Sequence, residues 1–68
     1  MREVEIRGHT IRLGQLLKLA GIADSGSDAK AMLAEGLVRV NGEAEERRGR
    51  QLHPGDEVVA GDDAVRVT

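Results

Sequence analysis

The sequence LGQLLKLAGIADSGSDAKAMLAEGLVRVNG, residues 13–42, decides the fold, because its apolar spacing changes from helical to extended along its length. Its first part predicts a short helix over about Gly14–Ala20. Glycine is costly inside a helix, so we place Gly14 at the N-terminal cap, and Gly21 at the C-terminal end. The side chains expected to face the core are Leu13, Leu16, Leu17 and Ala20.

The middle of the stretch predicts a second helix. Ser25 and Asp28 have the spacing of a capping box, in which a serine side chain satisfies a free backbone N–H at the helix start. Gly36 closes this helix. Its buried stripe consists of Ala29, Met32 and Leu33, and the few residues between the two helices require that they pack against each other.

The end of the stretch predicts a strand and a tight turn. Leu37, Val38 and Val40 change the apolar pattern to that of a strand, and Asn41-Gly42 is the dipeptide preferred in two-residue hairpins. Before residue 13, residues 4–13 predict a short hairpin or a strand with a turn. After the hairpin, glycine-containing turns near residues 55 and 61 separate strands over about 57–59 and 64–67. Strands, two helices and then three or four strands predict an α+β fold with a mainly antiparallel sheet.

The composition limits the kind of core and the kind of site. The 68 residues include no cysteine and no aromatic residue, so the core must be aliphatic, and neither a disulfide nor a thiolate metal site is possible. The formal net charge is −2. The acidic excess lies in residues 51–68, which hold four acids and only Arg66, whereas residues 12–50 carry seven bases and six acids.

Several classes of function are disfavoured. The sequence contains no apolar run long enough for a membrane span and no signal-peptide pattern, so we expect a cytoplasmic protein. The phosphate-binding pattern GxxxxGK[ST] is absent, and His9 and His53 have no catalytic partner at a recognisable spacing. We therefore expect no enzyme activity, no metal and no cofactor.

The order of these features resembles a known family. The segments LLKLAG, SGSDAKAMLAEG, VRVNG and HPGDEV, within about residues 13–59, resemble the RNA-binding domain named after ribosomal small-subunit protein four. Its alpha-L motif consists of two helices followed by a strand and a hairpin. The resemblance implies one RNA-binding domain over residues 1–68, most similar to the minimal stand-alone bacterial members of the family. It also implies that the ligand is ribosomal or transfer RNA, and we expect a monomer. Gly14, Gln15 and Gly26 occupy places where many family members carry basic residues.

The segment RRGR, residues 47–50, is the sharpest candidate site. Arginine offers a planar set of donors that matches phosphate oxygens. Because the family binds RNA through the second helix and the following hairpin, the resemblance implies a basic face, with a weaker addition from the first helix. The candidate RNA-binding residues are Lys30, Arg39, Arg47, Arg48, Arg50 and Lys18.

Two alternatives stay open. RRGR also fits a solvated loop that balances the preceding acids of EAEE. The acidic C-terminal part fits a protein-interaction or ribosome-associated assembly module. We expect no sulfur-carrier role, because the last residues are Arg66-Val67-Thr68 and not Gly-Gly.

Overall fold

A computed structural model describes all 68 residues and shows two helices beside two sheets. Five strands form the larger sheet in the order β1-β7-β6-β3-β4, and β2 and β5 form the smaller one. The β1–β7 pair is parallel and the other pairs are antiparallel, so the predicted α+β class is confirmed. The elements are β1 (Arg2–Val4), β2 (Ile11–Arg12), α1 (Leu13–Leu19), α2 (Gly26–Ala34), β3 (Val38–Val40), β4 (Glu43–Ala44), β5 (Gln51–Leu52), β6 (Glu57–Ala60) and β7 (Asp63–Val67).

The core lies between the helices and one face of the larger sheet. Alternation along the strands places one set of side chains inward, so that Val38 and Val40 are buried while Arg39 between them is exposed. The helices contribute four fully buried leucines to the same core, Leu13, Leu16, Leu17 and Leu33. Sixteen aliphatic residues form this cluster without any aromatic ring, as the composition requires.

The N-terminal segment forms no hairpin; the alternative of a strand with a turn is correct. Strand β1 pairs with β7 at the far end of the chain, and β2 pairs with β5. Gly8, with φ of +79°, lies between the two strands. The sequence alternates in the same way for either pairing, so local pattern cannot select a partner.

The start of α1 differs from the prediction. The helix covers Leu13–Leu19, its N-cap is Arg12, and no side chain caps it. The N–H of Leu13 donates to the carbonyl of Arg50 at 2.8 Å, and the N–H of Gly14 donates to the carbonyl of Arg48 at 3.0 Å. Backbone groups distant in the sequence therefore satisfy the free N–H groups that a local cap would otherwise satisfy.

The other turns follow the prediction. The Ser25 hydroxyl accepts a hydrogen bond from the Asp28 N–H at 3.1 Å, and α2 begins at Gly26, directly after Ser25. Gly36 after α2 has φ of +74°. Asn41 and Gly42 have φ of +51° and +87°, the paired positive values of a type I′ hairpin turn. Neither helix is long and apolar enough to cross a membrane.

The C-terminal half contains one strand more than predicted. Five strands follow α2, where three or four were expected. The additional element is β5, only two residues long, whose partner β2 precedes the first helix. Two residues give too little alternation to be recognised, because the pairing partner and not the local pattern defines the strand.

Candidate functional site

An open cleft of about 260 Å³ lies where α1, α2 and the loop between β4 and β5 meet. We call this loop, residues 45–50, the arginine loop. Three bases and no acid line the cleft, and only one of its lining residues is hydrophobic. The lining residues are Arg12, Gly14, Gln15, Lys18, Gly26, Ala29, Arg48 and Gly49.

Strand β2 and helix α1 place two of the three bases. The β2–β5 pair directs the half-buried Ile11 towards the core and leaves the neighbouring Arg12 exposed. Within α1, the buried face is formed by Leu13, Leu16 and Leu17. Lys18 and Gln15 lie outside that face and line the cleft.

The arginine loop places the third base at the tip of a turn. The N–H of Arg50 donates to the carbonyl of Arg47 at 3.4 Å, so Arg48 and Gly49 occupy the central positions of the turn. The carbonyls of Arg48 and Arg50 accept the hydrogen bonds from α1 described above. The loop is therefore attached to the start of α1, and Arg48, whose Cβ and Cγ lie within 4 Å of where a Cβ on Gly14 would stand, lines the cleft.

The buried carboxylate of Glu45 holds the two ends of this turn. Its side chain is only 8% exposed. Arg47 donates to it from Nε at 3.2 Å and from Nη2 at 3.1 Å, and Arg50 donates from Nη1 at 3.1 Å. The backbone N–H groups of Glu46 and Arg47 donate to Oε2 at 3.0 and 3.2 Å. Five donors thus converge on one carboxylate, with the Arg47 fork bound in the bidentate geometry that makes such pairs strong.

These contacts explain the titration of Glu45. The hydrogen bonds from the Arg47 side chain and backbone, with a contribution from Arg50, lower the pKa of Glu45 from 4.5 to about 2, although burial acts in the opposite direction. The carboxylate is consequently ionised at any physiological pH. Arg47 and Arg50 are both paired to this acid, and the Arg50 side chain is only 29% exposed.

The bases divide into paired and unpaired groups. Four arginines form ion pairs with carboxylates: Arg2, Arg47, Arg50 and Arg66. Six bases have no carboxylate within 4.0 Å, and three of these six line the cleft. Arg12, Lys18 and Arg48 also donate no side-chain hydrogen bond within the protein. Their donors are free for a ligand.

Small residues keep the cleft open. Six of the nine glycines have positive φ and serve turns. The other three, Gly14, Gly26 and Gly49, all line the cleft. A Cβ atom on Gly14 would stand 3.4 Å from the Arg48 Cβ, whereas a Cβ on Gly26 or Gly49 would meet nothing within 4 Å. Gly14 and Gly26, two of the positions at which the resemblance leads us to expect bases, therefore leave space in the cleft, and its cations come from other positions.

The predicted site residues occupy different places. Lys18 and Arg48 line the cleft. Arg47 and Arg50 are paired with Glu45 at the ends of the turn, and Lys30 is exposed on α2 but does not line the cleft. Arg39 lies on the sheet face opposite to the buried valines, where Nη1 donates to the Gly42 carbonyl at 3.5 Å. The structure thus does not bring all six predicted residues together.

Sequence reasoning missed Arg12 as a site residue. Its exposure follows from the alternation with Ile11, which is readable in the sequence. Its position in the same cleft as Arg48 depends on the β2–β5 pair, for which the sequence offers no local signal.

The acidic residues of the C-terminal part serve the turns and the sheet. Asp56 accepts hydrogen bonds from the His53 N–H at 2.8 Å and from the Asn41 amide at 3.1 Å. Burial alone would raise the pKa of Asp56, but these hydrogen bonds lower it overall. Glu57 pairs with Arg66 at 2.9 Å. No group of three or more His, Cys, Asp or Glu side chains is placed to hold a metal ion.

Comparison with known proteins agrees with this fold. Residues 4–68 match the family model of the S4 domain. The probable ribosome maturation protein RlbA of Bacillus subtilis (strain 168) is 49% identical over 55 residues, which cover 81% of this chain and 78% of that protein. The putative RNA-binding protein YbcJ of Escherichia coli (strain K12) is 39% identical over 57 residues, which cover 84% of this chain and 81% of that protein.

A solved structure shows the same fold. The crystal structure of the 30S ribosomal protein S4e from Thermoplasma acidophilum superposes with a TM-score of 0.66 over 88% of this chain, at 22% sequence identity. This chain spans 32% of that larger protein. The family match and the relatives carry the assignment, and the likeness to S4e supports the fold. The chain therefore belongs to the S4 domain family, which the segments in residues 13–59 predicted.

Proposed function

We propose that this chain binds structured RNA, ribosomal or transfer RNA, without catalysing a reaction, and that the cleft holds the phosphate backbone. The observation that carries the proposal is the set of three unpaired bases, Arg12, Lys18 and Arg48, on one concave surface without an acid. A cation without an internal partner breaks no interaction within the protein when a phosphate replaces its bound water. A paired cation must first break its ion pair with the carboxylate.

The chemistry of the cleft favours recognition of shape and charge. Phosphate contacts position a nucleic acid but carry little sequence information. The chain has no aromatic side chain on which an unstacked base could lie, so single-stranded stacking is disfavoured. Folded RNA, whose backbone presents phosphates in a fixed arrangement, fits these donors best.

The relatives support the choice of ligand. The E. coli relative is named as a putative RNA-binding protein, and the B. subtilis relative as a probable ribosome maturation protein. Ribosomal RNA is therefore the first ligand to test. Lys30, Arg39, Arg47 and Arg50 lie outside the cleft and stay predicted contacts for RNA, and we expect each of them to contribute less to binding than a base of the cleft.

The second candidate function is a protein-interaction or ribosome-associated assembly module. The observation in its favour is the separation of charge, since Asp56, Glu57, Asp62 and Asp63 lie in the C-terminal part, away from the cleft lining. Affinity purification before and after nuclease treatment separates the two functions. If the chain binds RNA, nuclease treatment should remove the co-purified ribosomal components together with the RNA. If it binds through a protein interface, these components should stay bound after the treatment.

The proposal is tested by crosslinking the tagged protein to RNA in bacterial cells and sequencing the bound RNA. We expect enrichment of one ribosomal or transfer RNA region. The double variant Lys18→Gln with Arg48→Gln should lose that enrichment while retaining the circular dichroism of the parent. Equal recovery of RNA by the parent and the variant would contradict the proposal.

A further inference from the structure

The side chain of Glu45 holds both ends of the turn in the arginine loop, and its backbone is itself fixed by the sheet. The Glu45 N–H donates to the Val38 carbonyl at 3.0 Å, so its backbone continues the pairing of β4 with β3. From this fixed backbone, the buried carboxylate reaches Arg47 and Arg50, the first and fourth residues of the turn. The base that it does not contact is Arg48, at the tip between them.

We propose that Glu45 is a positioning residue for the phosphate-binding cleft: its carboxylate clamps Arg47 and Arg50 so that the unpaired Arg48 side chain is held in the cleft. This inference rests on the proposed function and deepens it. The carboxylate itself lines no part of the cleft, and any effect on RNA passes through the loop.

The expected sign of the effect is the reverse of simple electrostatics. Removing an acid near a phosphate-binding surface ordinarily strengthens binding, because repulsion falls. Removing the charge of Glu45 weakens the clamp on the turn, and a mobile Arg48 loses conformational entropy when it binds a phosphate. A more positive protein should therefore bind RNA less tightly.

The adjacent acid supplies the matched control. Glu46 carries the same side chain and is exposed, and its carboxylate accepts no hydrogen bond within the protein. Glu46→Gln changes the net charge by the same amount as Glu45→Gln, one residue further along the loop. The two variants thus have the same net charge, and only Glu45→Gln removes the carboxylate that binds Arg47 and Arg50.

The experiment measures binding of the full chain to deproteinised, refolded bacterial ribosomal RNA at fixed monovalent salt. We expect Glu45→Gln to weaken binding about fivefold, as for the loss of one ordered phosphate contact, and Glu46→Gln to leave it unchanged or strengthen it up to about twofold. Glu45→Asp withdraws the carboxylate by about 1.5 Å at constant charge and should weaken binding about threefold. It also replaces Glu45→Gln if that variant does not fold.

A double-mutant cycle separates positioning from a general loss of structure. In an Arg48→Gln background, Glu45→Gln or Glu45→Asp should cause no further loss, because the side chain that Glu45 positions is already absent. Glu45 variants that behave like Glu46→Gln, or losses that add fully to that of Arg48→Gln, would overturn the inference and leave the proposed function intact. An Arg48→Gln variant that binds as tightly as the parent would overturn the proposed contact at the cleft, and this inference with it.

Discussion

The N–H of Gly14 donates a hydrogen bond to the carbonyl oxygen of Arg48 at 3.0 Å, which joins the first turn of α1 to the tip of the arginine loop. The two residues also approach closely in space, since a Cβ on Gly14 would stand 3.4 Å from the Arg48 Cβ. This contact therefore fixes how closely the arginine loop approaches α1 beside the cleft, although the two residues are more than 30 positions apart in the sequence.

Enlarging residue 14 should push the arginine loop away from the helix. We expect Gly14→Val to reduce RNA affinity about fivefold and to lower the free energy of unfolding by about 1–2 kcal/mol, because its branched side chain exceeds the available space. Gly14→Ala adds only the Cβ, at a distance close to van der Waals contact, and it gains helix propensity. Its unfolding midpoint in urea should equal or exceed that of the parent. Equal affinities of the Val variant and the parent would show that the cleft width does not matter.

Adding a cation at the opposite wall should strengthen binding. Gly26 is the first residue of α2, and a Cβ there meets no atom within 4 Å. We expect Gly26→Lys to tighten RNA binding about fivefold and to steepen its salt dependence by about one phosphate contact. Gly26→Gln has similar length and no charge, so it should leave the salt dependence unchanged. A steeper slope in the Gln variant as well would refute the electrostatic explanation.

Stability should fall in acid through Glu45. Its pKa lies near 2 in the folded state and near 4.5 when unperturbed, so the unfolded chain takes up a proton more readily. The stabilising contribution is then fully present above about pH 4.5 and is lost as the pH falls towards 2. The difference in free energy of unfolding between the parent and Glu45→Gln, measured in urea at several pH values, should shrink across this window. A difference that is constant with pH would contradict the assignment of the depressed pKa to Glu45.

The cap of α2 offers a test of stability alone. Ser25→Ala removes the hydroxyl that accepts the Asp28 N–H and should lower the free energy of unfolding by about 1 kcal/mol. Ser27→Ala is the control, because Ser27 is exposed in the first turn and makes no side-chain hydrogen bond. Thermal or urea unfolding distinguishes the two. Equal effects would show that the hydroxyl of Ser25 does not cap the helix.

Much of the fold could be predicted because its signals are local. The Ser25 cap, the glycine after each helix and the Asn41-Gly42 turn each depend on neighbouring residues, and all were found where the sequence placed them. The exposure of Arg39 followed from alternation with two valines. The order of these elements followed from the same local signals, and it led to the family.

The remaining features depend on contacts between distant residues. The start of α1 was misplaced because the carbonyls of Arg48 and Arg50 replace a local cap. The family resemblance assigns the basic candidates to the second helix and the following hairpin, yet the buried Glu45 takes two of them as partners, and the β2–β5 pair brings in Arg12 instead. Charge within one segment predicts a basic region, but internal ion pairs decide which of its cations are free.

The central claim is that the unpaired bases of the cleft bind RNA phosphates, and the chain supplies a matched control. The cleft contains two arginines and one lysine without carboxylate partners, Arg12, Arg48 and Lys18. Outside it, the unpaired bases are again two arginines and one lysine, Arg7, Arg39 and Lys30. Changing either set to glutamine alters the net charge equally.

The most direct measurement is the dependence of ribosomal RNA affinity on salt concentration for the parent and these two triple variants. Each phosphate contact contributes about 0.7–0.9 to the slope of log affinity against log salt. We predict that the cleft variant loses about 2 from this slope and at least tenfold in affinity, whereas the control variant loses less than about 1 from the slope. Equal losses in both variants, or a larger loss in the control, would contradict the assignment of RNA binding to the cleft.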